Sequence, residues 1–335
     1  MTKVFIHADD FGVTMEQSKS IIECSQKGAL NSISILMNSP YAIPAYNELV
    51  RDAGLSDKIR AVIHLNFVEG KPCVLSGSQE SDARSASQVS DARSATDETT
   101  FEDSSANNNP VCLLTDSKGM FNCTYGKILK ASFLSTKSLR TAYKEQFKIE
   151  IAAQLAAGSK LLDTKTLSID SHQHYHMIPV VYEALMEVVT ENDYKIDYLR
   201  VPVDPATPIW TTPGSLFKMP PVNFIKWSLL KFLSTRSNSM KKRHFSSISS
   251  MHQAPIFFGM PFTCQMQKGL VDDRLFKKYL KIAQKSGRDL ELMFHPGAVF
   301  SPSDLLDSSQ ADLVEFYSSE NRQAEKDVIQ NFDFT

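Results

Sequence analysis

Short apolar runs alternate with amphipathic stretches of helical period along most of the chain. The runs fall at Val4–Ile6, Ile33–Met37, Ile59–Leu65, a stretch ending near Asp170, Tyr198–Val201, Ile256–Phe258 and Leu290–Phe294. Apolar clusters of this length, bounded by polar residues, read as buried strands. Between them the spacing predicts helices after Thr14 and over Ala42–Arg51, Leu139–Ala157, Val180–Glu191 and Asp272–Gln284. Thr14 with Gln17 forms a capping box, and Gly28 and Gly158 stand where two of these helices should stop. About seven strands alternating with helices predict an α/β protein built on a parallel sheet, closed as a barrel or open.

Two stretches break the pattern. Residues 77–109 are mostly Ser, Asp, Ala, Asn and Thr, with SDARSA at Ser81 repeated at Ser90. Such a composition cannot bury enough surface to fold, so a disordered surface insertion is expected. The second stretch, 203–254, is rich in Pro and Ser and encloses an apolar segment. Between the two, TDSKGMF (Thr115–Phe121) reads as a turn joining two short strands.

Composition narrows the functional classes. A length of 335 residues admits one large domain with insertions or two domains. Lys plus Arg number 36 against 38 Asp plus Glu, which leaves no global basic field for nucleic acid. Cys24, Cys73, Cys112, Cys123 and Cys264 are widely spaced and form no metal-binding pattern, which favours a reducing compartment. Met1–Ile6 runs into a strand without the pattern of a leader peptide, so a cytoplasmic location is expected. The most apolar stretch, Phe224–Leu233, is interrupted by two lysines and is far short of the ~20 residues that span a bilayer. None of this opposes a homo-oligomer.

Polar chemistry gathers at the C-terminal ends of four predicted strands: Asp9 and Asp10; His64 with Asn66; Asp170 with His172, His174 and His176; Glu291 with His295. In parallel α/β folds the loops leaving that edge converge on one mouth, where active sites lie. Carboxylates beside several imidazoles suggest a metal held by Asp and His, with a second carboxylate free to take a proton from water. Adjacent strand residues point to opposite faces, so Asp9 and Asp10 serve one site only if the strand has ended there. Glu291 shares strand parity with His295 and could face inward to pair with Arg200.

HADDFG (His7–Gly12), IHLNFVEG (Ile63–Gly70), DSHQHYHMIP (Asp170–Pro179), LRVP (Leu199–Pro202) and ELMFHPG (Glu291–Gly297) resemble, in order, the motifs of the YdjC family of carbohydrate deacetylases. The resemblance implies a distorted (β/α) barrel forming one catalytic domain over residues 1–335. It also implies hydrolysis of the N-acetyl group of an acetylated amino sugar with one divalent metal, Mg2+ in that family; the residues alone leave Zn2+ or another transition metal open. Carried over by position, Asp10, His64 and His172 are the expected metal ligands, Asp9 the general base and His295 the acid. Asp170, His174, His176, Arg200 and Glu291 are expected to support these groups or to bind substrate. His7 stands where the family often has Asn. A metal-dependent hydrolase of another bond, such as a phosphoester, and a non-catalytic sugar-binding protein are the alternatives. The lack of an evident Arg or Lys clamp argues against the first, and the intact Asp9, Asp10, His64 and His172 set against the second.

The segment Pro221–His244 carries Val222, Phe224, Ile225, Trp227, Leu229, Leu230, Phe232 and Leu233, then Arg236, Lys241, Lys242 and Arg243. A helix this apolar on nearly every side is expected to be buried against the domain. A lid whose Trp227 stacks on a sugar ring, or weak contact with a membrane surface, are the other readings.

Overall fold

The computed structural model describes residues 2–75, 109–244, 254–267, 270–271, 273–297, 305–307 and 309–334, with only the backbone at 236–244 and 273. The expected insertion at 77–109 lies outside them except for Asn109, as do residues 245–253 of the second stretch.

Seven strands form one sheet: β1 (Val4–Phe11), β2 (Ser32–Ile35), β3 (Arg60–Leu65), β4 (Thr166–Ser171), β5 (Lys195–Leu199), β6 (Ile256–Phe258) and β7 (Leu290–Phe294). Their order is β5-β4-β3-β2-β1-β7-β6 and every pair is parallel. The sheet curls into an open half-barrel, because Arg200, just past β5, reaches the Phe257 ring on β6 (5.7 Å) and Glu291 on β7 (2.8 Å). The expected distorted barrel is therefore present, with its seam between β5 and β6.

The helices are α1 (Met15–Lys27), α2 (Ala42–Tyr46, continued by a wider turn over Asn47–Arg51), α3 (Tyr125–Phe133), α4 (Lys137–Leu162), α5 (Pro179–Glu191), α6 (Ala206–Thr211), α7 (Pro221–His244), α8 (Asp273–Ser286), α9 (Ala311–Tyr317) and α10 (Asn321–Asn331). Thr14 caps α1 by accepting the Gln17 N–H at 3.0 Å. The Gln17 side chain does not close the capping box; it donates to the Pro296 carbonyl at 2.7 Å and so ties α1 to the loop after β7. Of the two glycine stops only the first is found: α1 closes at Lys27 with Gly28 as its C-cap. Gly28 is extended, and a Cβ there would lie 2.5 Å from the Ile329 oxygen on α10. Gly158 lies within α4, where a Cβ would meet Ile63 Cδ1 at 2.4 Å. Gly28 therefore ends α1 and also allows close packing on α10, whereas Gly158 serves close packing alone. The turn at Thr115–Phe121 carries the expected antiparallel bridge. The strand expected over Tyr198–Val201 instead ends at Leu199, which frees Arg200 to turn inward.

Asp204 ties the seam together. Its carboxylate accepts the backbone N–H groups of Gly259 (2.9 Å) and Met260 (3.1 Å), and the Tyr279 hydroxyl donates to it at 3.0 Å. Its carbonyl accepts the Trp227 indole N–H at 3.1 Å, which anchors α7. Burial pushes the Asp204 carboxyl up to about 7 despite these donors. Asn223, Trp227, Leu230 and Leu233 are buried, whereas Val222, Phe224, Ile225 and Phe232 face outward. The apolar segment is thus a half-buried helix, not one buried all round, and Trp227 belongs to the core rather than to a stacking face. Trp227→Ala is expected to cost about 3–5 kcal/mol in urea unfolding. A loss below about 1 kcal/mol would mean that the helix is not anchored through this residue.

Candidate metal centre and active site

The interior of the half-barrel is polar at its C-terminal end. A barrel interior is usually filled by branched apolar side chains, but here His7, Ser32, Ser34, His64, Asp170, Arg200 and Glu291 are all buried. Ser32 and Ser34 alternate with Ile33 and Ile35 on β2, so the strand presents hydroxyls to one face and apolar groups to the other. Each His7 ring nitrogen lies 2.7 Å from one of these hydroxyls, Nδ1 at Ser32 and Nε2 at Ser34. Ser34 donates onward to Asp170 Oδ2 at 2.5 Å.

Asp9 and Asp10 both reach the site, although β1 has not ended there. The pairing of β1 with β2 shifts register between Ala8 and Phe11, and Asp10 adopts φ 66°. One extra residue in a left-handed conformation is a bulge, and it re-aims the Asp10 side chain inward beside Asp9.

The three histidines diverge. They lie on a tight turn over His172–Met177, with Gln173 (φ 50°) and His174 (φ 62°) in the left-handed region, so they do not alternate as on a strand. His172 turns toward Asp10, its Nδ1 3.1 Å from Asp10 Oδ1. His174 lines the cleft described below, and its Nδ1 has no hydrogen-bond partner. Burial, and then Arg200, hold its pKa well below the usual histidine value. Both ring nitrogens of His176 are engaged, by the Ser171 hydroxyl (2.5 Å) and the Arg200 carbonyl (2.9 Å), which braces the turn.

Asp10, His64 and His172 each offer a ligand atom, all within 4.8 Å of one another; His7, Asp9 and Asp170 form a second such group. The first trio fits a cation. His64 Nδ1 is held by Asp170 Oδ1 at 2.6 Å, which leaves Nε2 facing the trio. His64 Nε2, His172 Nε2 and Asp10 Oδ2 are all buried and lack hydrogen-bond partners. An atom of this kind costs about 1–3 kcal/mol unless a partner meets it. His64 Nε2 and His172 Nδ1 both face Asp10 Oδ1, at 3.6 and 3.1 Å, while His172 Nε2 lies 3.7 Å from Glu69 Oε1 and Asp10 Oδ2 3.7 Å from Arg322 Nη1. Burial alone would raise the Asp10 carboxyl, but hydrogen bonds to His172 and His64 outweigh it and hold it well below the carboxylate range. Burial alone would lower His64; Asp170 and Asp10 overturn that and raise it to about 10.

Asp9 stands beside this trio. Its Oδ2 accepts from Arg200 Nη1 at 2.9 Å, while Oδ1 lacks a partner of good geometry although His7 Nε2 is 3.2 Å away. Burial would raise the Asp9 carboxyl; Arg200 and His7 more than offset this and keep it ionised. The same guanidinium bonds Asp170 Oδ2 at 2.7 Å and Glu291 Oε1 at 2.8 Å, so the expected Glu291–Arg200 pair is present. Glu291 also accepts from Tyr198 and from Arg60 Nη2 (2.7 Å), and its carboxyl is lowered to about 2. It faces inward as expected, is fully buried, and is not among the residues lining the cavity described below.

His295 Nε2 lies 3.9 Å from Asp9 Oδ2, with burial pushing its pKa down to about 4. Asp9, His172, His174 and His295 open into a cavity of about 390 Å³, walled by Tyr125, Lys226, Leu229 and Leu230 on one side and Asp312, Leu313 and Phe316 on another. This volume falls in the range of small-ligand pockets.

The C-terminal helices were not anticipated, and they bring charged groups to the site. Tyr317 on α9 donates to Glu69 Oε1 at 2.6 Å, and that oxygen lies 3.7 Å from His172 Nε2. On α10, Glu325 accepts the His295 backbone N–H at 2.5 Å and fixes that loop. Arg322, buried under the Phe316 and Tyr317 rings, reaches within 3.7 Å of Asp10 Oδ2. Arg322 and Lys226 correct the expectation that no basic side chain lies near the clusters. No motif marked them, because both sit on helices far along the chain from the acidic pair.

The parallel half-barrel with a carboxylate–imidazole trio and a second carboxylate at its C-terminal edge defines the class of protein. The chain belongs to the YdjC-like protein family, whose description matches residues 3–334. Carbohydrate deacetylases resemble it at low identity: that of Thermoanaerobacter pseudethanolicus is 28% identical over 204 residues, 61% of this chain and 62% of that protein. Those of Danio rerio and Homo sapiens are 25% and 23% identical, over 61% and 60% of this chain and 50% and 49% of theirs. The matched region thus spans about three-fifths of the bacterial relative and half of the vertebrate ones. In fold, the chain is similar to a protein from Enterococcus faecalis named for cellobiose-phosphate cleavage. The TM-score is 0.52 at 15% identity, covering 99% of this chain and 92% of that one.

Proposed function

We propose that the protein is a metal-dependent carbohydrate deacetylase that hydrolyses the N-acetyl group of an acetylated amino sugar, its residues 1–335 acting as one catalytic domain. The observation that carries this reading is the ionised, unpartnered Asp9 Oδ1 beside the Asp10–His64–His172 trio at the floor of a sugar-sized cavity. Family membership and the named relatives support it. Two imidazoles and one carboxylate favour a transition ion such as Zn2+ over Mg2+, which prefers oxygen donors. A divalent ion at the trio would supply Lewis acidity, acidifying water and stabilising a developing oxyanion. Five unpaired cysteines support a reducing, cytoplasmic setting.

The chain's own residues then move one proton. The Asp9 carboxylate accepts it from the attacking water. His295, whose Nε2 lies 3.9 Å from Asp9 Oδ2, is the group placed to receive that proton from Asp9. His295 delivers it to the departing amine. Asp170 orients His64, and Arg200 keeps Asp9 ionised. Tyr125 and His174 offer polar atoms to sugar hydroxyls along the wall.

Acetate release from a panel of N-acetylated mono- and oligosaccharides, run beside an aryl phosphate, tests the reading. Acetate without phosphate supports it, whereas phosphate alone overturns it in favour of a phosphoesterase. The double variant His64→Ala/His172→Ala is expected to lose its single equivalent of metal in elemental analysis. Because His64 must shed a proton to become a ligand, wild-type metal affinity should strengthen as pH rises. One equivalent retained by the double variant would remove both histidines from the ligand set.

A further inference from the structure

Charge is unevenly spread along this chain. From Pro205 to Val271 there is no Asp or Glu, while Lys218, Lys226, Lys231, Arg236, Lys241, Lys242, Arg243 and Lys268 fall in the same span of a chain whose overall balance is −2. α7 forms the middle of this span. Its inward face is occupied by Trp227, Leu230 and Leu233. Its outward side presents Val222, 54% exposed, and Ile225, 65% exposed, one turn apart, and Phe217, four residues ahead of the helix, is 97% exposed. Large apolar side chains clustered in water mark an interaction surface. A helix with an outward apolar stripe, several Lys and Arg in its sequence and no acidic residue has the composition of one that lies in a lipid headgroup layer.

We propose that α7 and the loop before it dock the protein on an anionic lipid surface. Phe217, Val222 and Ile225 enter the boundary between headgroups and acyl chains, and the basic residues of the span supply long-range attraction. A second copy of the chain fits this face less well. In a two-fold contact the patch meets itself, setting basic segment against basic segment with no carboxylate to offset them. Among the described residues no helix is long and apolar enough to cross a membrane, so the contact is peripheral. Docking also bears on the cleft, because Lys226, Leu229 and Leu230 of the same helix form its wall. The cleft therefore lies beside the lipid surface, where an amphipathic substrate would be concentrated.

Flotation of the 335-residue protein with vesicles tests this. The protein should float with vesicles containing phosphatidylglycerol at low salt, much less with phosphatidylcholine alone, and progressively less as salt is added. Val222→Asp/Ile225→Asp changes two exposed positions near a helix N-terminus, where acidic residues are tolerated, and should keep the wild-type melting temperature while losing flotation. Replacing Lys241, Lys242 and Arg243 with Ser should weaken partitioning on the order of a hundredfold, at about fivefold per basic residue. Absence of flotation at low salt overturns the proposal, and so does equal flotation with both vesicle types. Flotation that survives Val222→Asp/Ile225→Asp removes α7 from it. A wild-type dimer in sedimentation velocity that becomes a monomer in the same variant also overturns it, by showing that a second copy covers the face.

Discussion

Asp9→Asn is expected to lower the rate of acetate release by about 10²–10⁴-fold, the contribution typical of a positioned general base. The substitution preserves shape, and its carbonyl can still accept from Arg200 Nη1, which retains Asp170 and Glu291 as charged partners. It removes the negative charge on Oδ1 and with it the capacity to take a proton. The metal-ligand trio is untouched, so metal content and melting temperature should stay close to wild type, which separates a lost base from a lost centre. His295→Ala should cost a similar factor on N-acetyl sugars but less on an aryl acetamide, whose leaving amine needs less help. Near-wild-type turnover in Asp9→Asn, with metal bound, would remove Asp9 from the proton path and end the proposed relay to His295.

The parts of this site that were legible in the sequence share one property: they are local. Asp9 and Asp10, His64, Asp170 with His172, and Glu291 with His295 each end an apolar run, and parallel strands carry run ends to one edge whatever their separation in sequence. What period and composition could not convey are departures from regular geometry. The bulge at Asp10 and the left-handed turn at Gln173 and His174 decide which way side chains point, and three alternating histidines therefore served three different ends. Ser34 was hidden inside what reads as an apolar run and Ser32 just before it, because a polar barrel interior inverts the usual meaning of alternation. Gly158 looked like a helix stop, since an isolated glycine near the end of a helical pattern has no local feature that distinguishes capping from close packing. Glu69, Tyr317, Arg322 and Glu325 come from elements whose pairing depends on the chain's return after β7, a long-range contact that no window of sequence contains.

Arg200→Met should destabilise the protein by about 3–5 kcal/mol or more, because removing one partner of a buried ion network leaves the others uncompensated. Arg200 is fully buried and links Asp9, Asp170 and Glu291 through Nη1 and Nε at 2.7–2.9 Å. Arg60 also neutralises Glu291, at 2.7 Å, so the loss falls mainly on Asp9 and Asp170. Domains are typically stable by only 5–15 kcal/mol, so a variant near the threshold of folding is expected, measured by urea unfolding. Arg200→Lys should recover only part of the loss, since one ammonium cannot reproduce the fork that bonds carboxylates on opposite sides. The pH dependence gives the sharper test. In the wild type Asp9, Asp170 and Glu291 titrate below their ordinary values, Glu291 at about 2, so the stability they contribute is complete above the ordinary carboxylate range and lost as pH falls through the folded values. Without the guanidinium, burial becomes the main influence on Asp9 and Asp170 and raises their pKa values instead, so protonation relieves the variant while it harms the wild type. The gap in stability between the two should therefore narrow as pH falls from about 6 to about 4. A gap that stays constant across that window would mean that Arg200 stabilises the barrel through packing, and that the three carboxylates are held by something other than its charge.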